Sequence, residues 1–152
     1  MNGIEHDIIS RCLHMIYGQL LTEEAGVGLR SIERLIFLIR YMAKSGVPTA
    51  TIQEELHVMQ QVFQIYRGED ETEFQVEIRD TDPRMHVGRS TLLYEICQHG
   101  MELMHNGCRL QRVVLFQNDG QLAYAFTDMY GQAYGGTVYG EELDPGYRGA
   151  SD

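Results

Sequence analysis

The hydrophobic period of this chain changes once, near Gly68, and that change restricts what the chain can fold into. Before it, apolar residues recur every three or four positions. After it, Phe74, Val76 and Ile78 alternate with Gln75, Glu77 and Arg79. The first spacing lines one face of a helix, and the second lines one face of a strand. A chain that begins in helices and then turns to strands is α+β in class.

The helical half divides into three. Ile4, Ile8, Cys12, Ile16 and Leu20, joined by Ile9, Leu13 and Leu21, keep the i, i+4 stripe of a first amphipathic helix. Thr22-Glu23-Glu24 reads as an N-cap followed by first-turn acids, which favour the positive end of a helix dipole. A second helix then carries Ile32, Leu35, Ile36, Ile39 and Met42 on one face and stops at Ser45-Gly46-Val47-Pro48. Thr51 and Glu54 form a capping box for a third helix with Ile52, Leu56, Met59, Val62, Phe63 and Tyr66 as its apolar positions. Gly68 ends it, beside the acidic run Glu69-Asp70-Glu71.

After the alternating strand, residues 80–83 read as a turn, and residues 92–104 as a fourth helix stopped by Asn106-Gly107. Residues 113–116 form a strand closed by the hairpin signal Asn118-Asp119-Gly120, and residues 122–127 form its return. Beyond Asp128 the chain is rich in Gly and Tyr without a regular period, and a partly ordered loop and tail is expected there.

A length of 152 residues with 43% hydrophobic content supports one core, or a helical unit plus a small α/β unit. The formal charge of −10, with Lys44 as the sole lysine and scattered arginines, argues against a nucleic-acid partner, since counterion release needs clustered cations. No apolar run is long enough to cross a bilayer, and MNGIEHDIIS carries acids where a signal peptide has a basic region. A cytoplasmic protein with no membrane partner is expected. Cys12, Cys97 and Cys108 lack a CxxC pair, so reduced and mostly buried thiols are expected. His99 and His105 stand six apart, on different faces of one helix, and His14, His57 and His86 lie on three separate elements. None makes the i, i+4 pair of a zinc enzyme. Met42, Met59 and Met101 read as core filler, and Ser10, Ser31 and Ser90 lack the setting of a serine hydrolase nucleophile.

Three motifs carry a family resemblance: Arg40-Tyr41 at the end of the second helix, Glu54-Glu55-Leu56 after the Pro48 to Thr51 segment, and Phe63 with Ile65-Tyr66-Arg67 ahead of the alternating strand. In that order they resemble sensor histidine kinases of the LytS/YesM type, from the second dimerisation helix into the ATPase domain, over roughly residues 4 to 128. The resemblance implies a helical dimerisation hairpin at residues 1–46, a truncated ATPase-like α/β sandwich of the GHKL type at 47–130, and a Gly/Tyr-rich tail at 131–152. The hairpin would pair with that of a second chain in a four-helix bundle, because it carries more apolar stripe than a small sheet can cover.

The resemblance also assigns chemistry. His6, in IEHDII, falls near the family's phosphoacceptor, with Glu5 or Asp7 available to orient its imidazole. Within LLYEICQHGMELMHNG, Gln98 falls on the family's Glu and His99 on the Asn that coordinates magnesium. An imidazole is a poor substitute for an amide oxygen on that hard ion. Asp128 falls on the aspartate that receives the adenine amino group, with Tyr130 and Gln132 at the glycine places beside it. The implied function is a histidine-kinase-like signalling protein that has lost ATP binding. It would act as a homodimeric interaction module that engages a response regulator or a partner histidine kinase, with no cofactor. The alternative is an active histidine kinase or phosphotransferase that uses His6, with ATP and magnesium held near Gln98, His99 and Asp128.

Overall fold

The computed structural model describes residues 3–22, 25–44, 46–68 and 73–142, without the side chains of 4, 25 and 139–142. The expectations for Ile4's packing, Glu23-Glu24, Ser45, the acidic run 69–71 and the tail from 143 onward lie outside the described residues. The described residues form four helices and two sheets, an α+β fold. The order is α1 (Gly3–Leu21), α2 (Ala25–Met42), β1 (Thr49–Thr51), α3 (Ile52–Arg67), β2 (Gln75–Ile78), β3 (His86–Gly88), α4 (Thr91–His105), β4 (Leu110–Asn118), β5 (Gln121–Asp128) and β6 (Ala133–Glu142).

Helix α3 is the axis of the molecule. Of the expected capping box the Thr51 half is formed, where the Glu54 N–H donates to Thr51 Oγ1 at 3.1 Å. Gly68 ends it at φ 69°, donating its N–H to the Gln64 and Ile65 carbonyls. Val58, Met59, Val62, Phe63 and Ile65 are all buried, so α3 buries most of its circumference. It packs against α1 and α2 on one side and against α4 and β2 on the other. Gln60 and Gln64 then hold the chain that follows, since the Gln60 amide donates to the Phe74 carbonyl at 2.9 Å and the Phe74 N–H donates to Gln64 Oε1 at 2.9 Å.

The main sheet has the order β2-β4-β5-β6, with β2 parallel to β4 and the other pairs antiparallel. Joining parallel neighbours requires a crossover, which α4 supplies. Asp119 and Gly120 both have positive φ (52° and 79°), as a two-residue hairpin turn of the primed type needs. Residues 133–142, expected as loop, form strand β6 on the edge of this sheet. A second hairpin from Asp128 to Gln132 returns the chain, Val138 buries against the core and Tyr134 packs beside it, while the glycines between them hide the strand period.

Strands β1 and β3 pair antiparallel in a separate two-stranded sheet, with Thr49 opposite Gly88. At three residues each, they are too short to show a period in the sequence. Thr22, expected to cap α2, closes α1 instead: its hydroxyl donates to the Gln19 carbonyl at 3.0 Å.

The first two helices are apolar on two faces rather than one. In α1 the inner row is Ile8, Cys12 and Ile16, while Leu13, Tyr17, Leu20 and Leu21 are exposed. In α2 the inner row is Ser31, Leu35, Leu38 and Met42, while Leu29, Ile36, Phe37 and Ile39 are exposed. The expected stripes therefore divide, with Leu35 and Met42 inward and Ile36 and Ile39 outward.

Gly100, midway along α4, marks the closest approach of the layers. A Cβ there would overlap the rings of Phe63 and Phe126, which meet edge to face at 5.5 Å between centroids. Gly100→Ala is expected to cost roughly 1–3 kcal/mol through this overpacking. Urea unfolding checks it, and an unchanged midpoint would contradict the packing described.

Candidate functional site

A buried polar knot joins the helical hairpin to the rest of the fold. Tyr41, at the end of α2, donates its hydroxyl to Glu55 Oε2 on α3, and the Glu55 side chain lies in a residue with no exposed surface. Arg89, just ahead of α4, donates to the Tyr41 carbonyl at 2.6 Å and lays its guanidinium over the Tyr41 ring, 4.0 Å from the centroid. Its neighbour Ser90 donates to Glu5 Oε2 of α1 at 3.1 Å, so residues from all four helices or their caps converge.

The local backbone explains why the knot sits there. Ser90 adopts φ 67°, a left-handed conformation that is costly for a residue with a Cβ. Its side chain does not cap α4 and points to Glu5 instead. The β1–β3 pairing holds this segment in place, with the Arg89 N–H donating to the Pro48 carbonyl at 2.9 Å.

Burial pushes the Glu55 carboxyl above the ordinary range. The Tyr41 hydroxyl, the backbone N–H groups of Ser90 and Leu93, and the Arg89 charge pull it down by less. Burial likewise raises the Tyr41 phenol, helped by the Glu55 charge and hydrogen bond.

Of the sequence-derived site residues, His6 is exposed on α1. The two carboxylates considered as its orienting partners both have other contacts: Glu5 accepts from Ser90, and Asp7 pairs with Arg11 at 3.2 Å. His99 lies on the sheet-facing side of α4, its Nδ1 2.9 Å from the Tyr124 hydroxyl and its ring edge-on to Phe126. The hydroxyl end of Tyr124 fits because Gly136 has no Cβ to meet it. Gln98, next along, is half-buried.

Asp128 is buried at the end of β5 and serves the following turn. One carboxylate oxygen accepts the N–H groups of Tyr130 and Gln132, each at 2.9 Å, and the other accepts the Tyr134 hydroxyl at 3.3 Å. Gly131, at φ 83°, supplies the left-handed position that closes this hairpin. Tyr124 and Asp128 are four residues apart on one strand, roughly 13 Å. Gln98 and His99 thus share a helix turn, while the His99 partner and Asp128 are at different levels of the sheet.

Among the described residues no group of three or more His, Cys, Asp or Glu side chains is placed to hold a metal ion. Nor is any helix long and apolar enough to cross a membrane. Cys12, Cys97 and Cys108 are free thiols, and burial pushes Cys12 up to about 12 and raises Cys97 as well, which removes thiolate reactivity from both. No protein-family model matches the chain, and no curated protein matches it significantly.

Of the knot residues, only Tyr41 and Glu55 belong to motifs of the sequence. The available signal was Glu55, an acid on the apolar row of α3 between Ile52 and Met59, where a carboxylate must find partners once buried. Nothing comparable marked Arg89 or Ser90.

The raised Glu55 pKa has a definite sign in stability. Its native value exceeds the unfolded value of about 4.3, so the native state retains a proton that the unfolded chain has lost. The stabilisation is complete below the unfolded value and is lost as pH rises through the native one. Glu55→Gln keeps the shape and an acceptor for Tyr41 while removing this dependence. Denaturant unfolding from pH 5 to pH 8 should show wild type losing stability relative to the variant, with the variant the more stable at pH 8. Parallel curves would contradict the assignment.

Proposed function

We propose that this chain is a histidine-kinase-like signalling protein that has lost ATP binding. It acts as a dimeric interaction module that engages a response regulator or a partner histidine kinase. The observation that carries the reading is the outer face of the hairpin, where Leu13, Tyr17 and Leu29 are 52%, 65% and 62% exposed. Together with Ile36 and Ile39 they form apolar rows along both helices, of the kind that closes a four-helix bundle with a second copy. Isolated exposed apolar residues need no explanation, but rows on two adjacent helices do.

Two further observations favour the family reading. Tyr41 and Glu55, which belong to separate motifs behind the resemblance, are hydrogen-bonded to each other. The four-stranded sheet with α3 and α4 beside it suits a truncated GHKL-type sandwich. The residues at the nucleotide positions do not fit a magnesium nucleotide: His99 offers nitrogen and is tied to Tyr124, and the Asp128 carboxylate is taken by its own turn and Tyr134.

The alternative, an active kinase or phosphotransferase using His6, is favoured by one observation, the exposure of His6 on α1. Light scattering on the eluting protein should return a dimer at micromolar concentration. Leu13→Glu with Leu29→Glu should return a folded monomer, since each leucine buried in a bundle contributes roughly 1.5–3 kcal/mol. A wild-type monomer would contradict the reading. Magnesium ATP should leave the melting temperature unchanged, whereas a true site at a hundred times its Kd would add about 2.7 kcal/mol. Phosphoryl labelling of His6 would favour the alternative.

A further inference from the structure

Strand β2 is one edge of the main sheet, and a cleft runs beside it. Among the described residues β2 pairs with β4 alone. The Arg79 N–H donates to the Leu115 carbonyl at 2.8 Å, so by strand alternation the backbone groups of Gln75, Glu77 and Arg79 face β4, and those of Val76 and Ile78 point outward from the sheet. The cleft, of about 400 Å³, has Leu56, Val76, Ile78 and Pro83 as apolar wall and Gln53, His57 and Gln60 along its α3 side. These residues carry no formal charge, on a chain that is 22% charged. From Gln53 to Gln60 the α3 wall runs about 10 Å, the length of about three residues of extended chain. On the opposite face of the edge, Glu77 and Arg79 have side chains 39% and 56% exposed. They pair with each other at 2.9 Å, and Glu77 lies 3.8 Å from Arg112. Such contacts between exposed groups are worth little and leave them free to exchange partners.

We propose that this edge and cleft take an extended segment of a partner protein as a further strand, antiparallel to β2. Outward strand groups beside an apolar slot recognise main chain and side chain together: the backbone bonds hold an extended peptide, and the slot selects its alternate side chains. Antiparallel pairing is the more stable of the two directions. In that register the partner residues opposite Val76 and Ile78 exchange hydrogen bonds with them and turn their side chains into the cleft, which suits uncharged branched residues such as valine. Those opposite Glu77 and Arg79 occupy the positions where side chains approach most closely, so a base opposite Glu77 and an acid opposite Arg79 complete the charge pattern. From its amino end, the segment is acid, apolar, base, apolar. None of Leu13, Tyr17, Leu29, Ile36 and Ile39 lines the cleft, so this surface is separate from the outer face of the hairpin and stands independently of the dimeric reading.

Amide NMR shifts during titration with the capped peptide Thr-Glu-Val-Lys-Val-Thr, up to millimolar concentration, test it. The shifts should gather at residues 53–60 and 75–79. N-methylation of the peptide's first valine, which removes the N–H offered to Ile78, should abolish them. Exchanging the peptide's Glu and Lys should weaken binding by roughly fivefold, the scale of two reversed cross-strand pairs. Val76→Pro removes an outward N–H that the β4 ladder does not use, so the fold should persist while binding is lost. Glu77→Lys with Arg79→Glu should reverse the preference between the two peptides, a gain that loss of folding cannot imitate. Leu13→Glu with Leu29→Glu should leave binding unchanged. Absence of shifts at millimolar peptide would overturn the proposal. So would equal binding of the two peptides, binding that survives Val76→Pro, or binding lost with the leucine substitutions. A dimer that dissociates in Val76→Pro would also overturn it, by giving the edge to a second copy of the chain.

Discussion

The hydrogen bond from Tyr41 to the buried Glu55 sets the relation between the two halves of this protein. A carboxylate with no exposed surface is expensive unless its neighbours satisfy it. Here Tyr41 from the end of α2 donates to Glu55, and Arg89 and Ser90 from the strand-to-helix junction tie Tyr41 and Glu5 of α1 in place beside it. Moving the hairpin by even part of a helical turn would take the Tyr41 hydroxyl away from Glu55. The polar knot therefore specifies one docking position, where the apolar rows alone would tolerate several.

That constraint gives the hairpin its two faces. With Ile8, Cys12, Leu35 and Leu38 fixed inward against α3, Leu13, Tyr17, Leu29 and Ile36 stay exposed among the described residues. The outer rows then become a surface whose position relative to the sheet is defined by the knot. At the other end of the α1 contact, Arg11 and His14 face α4 across a cavity.

Much of this architecture was legible in the sequence where a period ran long enough. The α3 capping box, the β4–β5 turn at Asp119-Gly120 and the helical course of residues 92–104 all sit where spacing and turn chemistry placed them. The stripes of α1 and α2 were legible as helices but not as two-faced ones, because a wide apolar arc looks the same whether one partner or two will cover it. Strands β1 and β3 were too short to carry a pattern, and β6 was hidden by glycines. At the candidate site, the sequence marked His99 and Asp128 by position, yet their contacts with Tyr124 and with the 128–132 turn depend on register across the sheet. Arg89 and Ser90 reach partners 48 and 85 residues away, separations that no local pattern encodes.

Hydrogen exchange on Tyr41→Phe tests the central claim most directly, because it reads each element separately. If the knot holds the hairpin in place, the variant will exchange faster along α1 and α2 while β4, β5 and the sheet-facing side of α4 keep their protection. A loss spread evenly over the whole chain, or no change in α1 and α2, would contradict it.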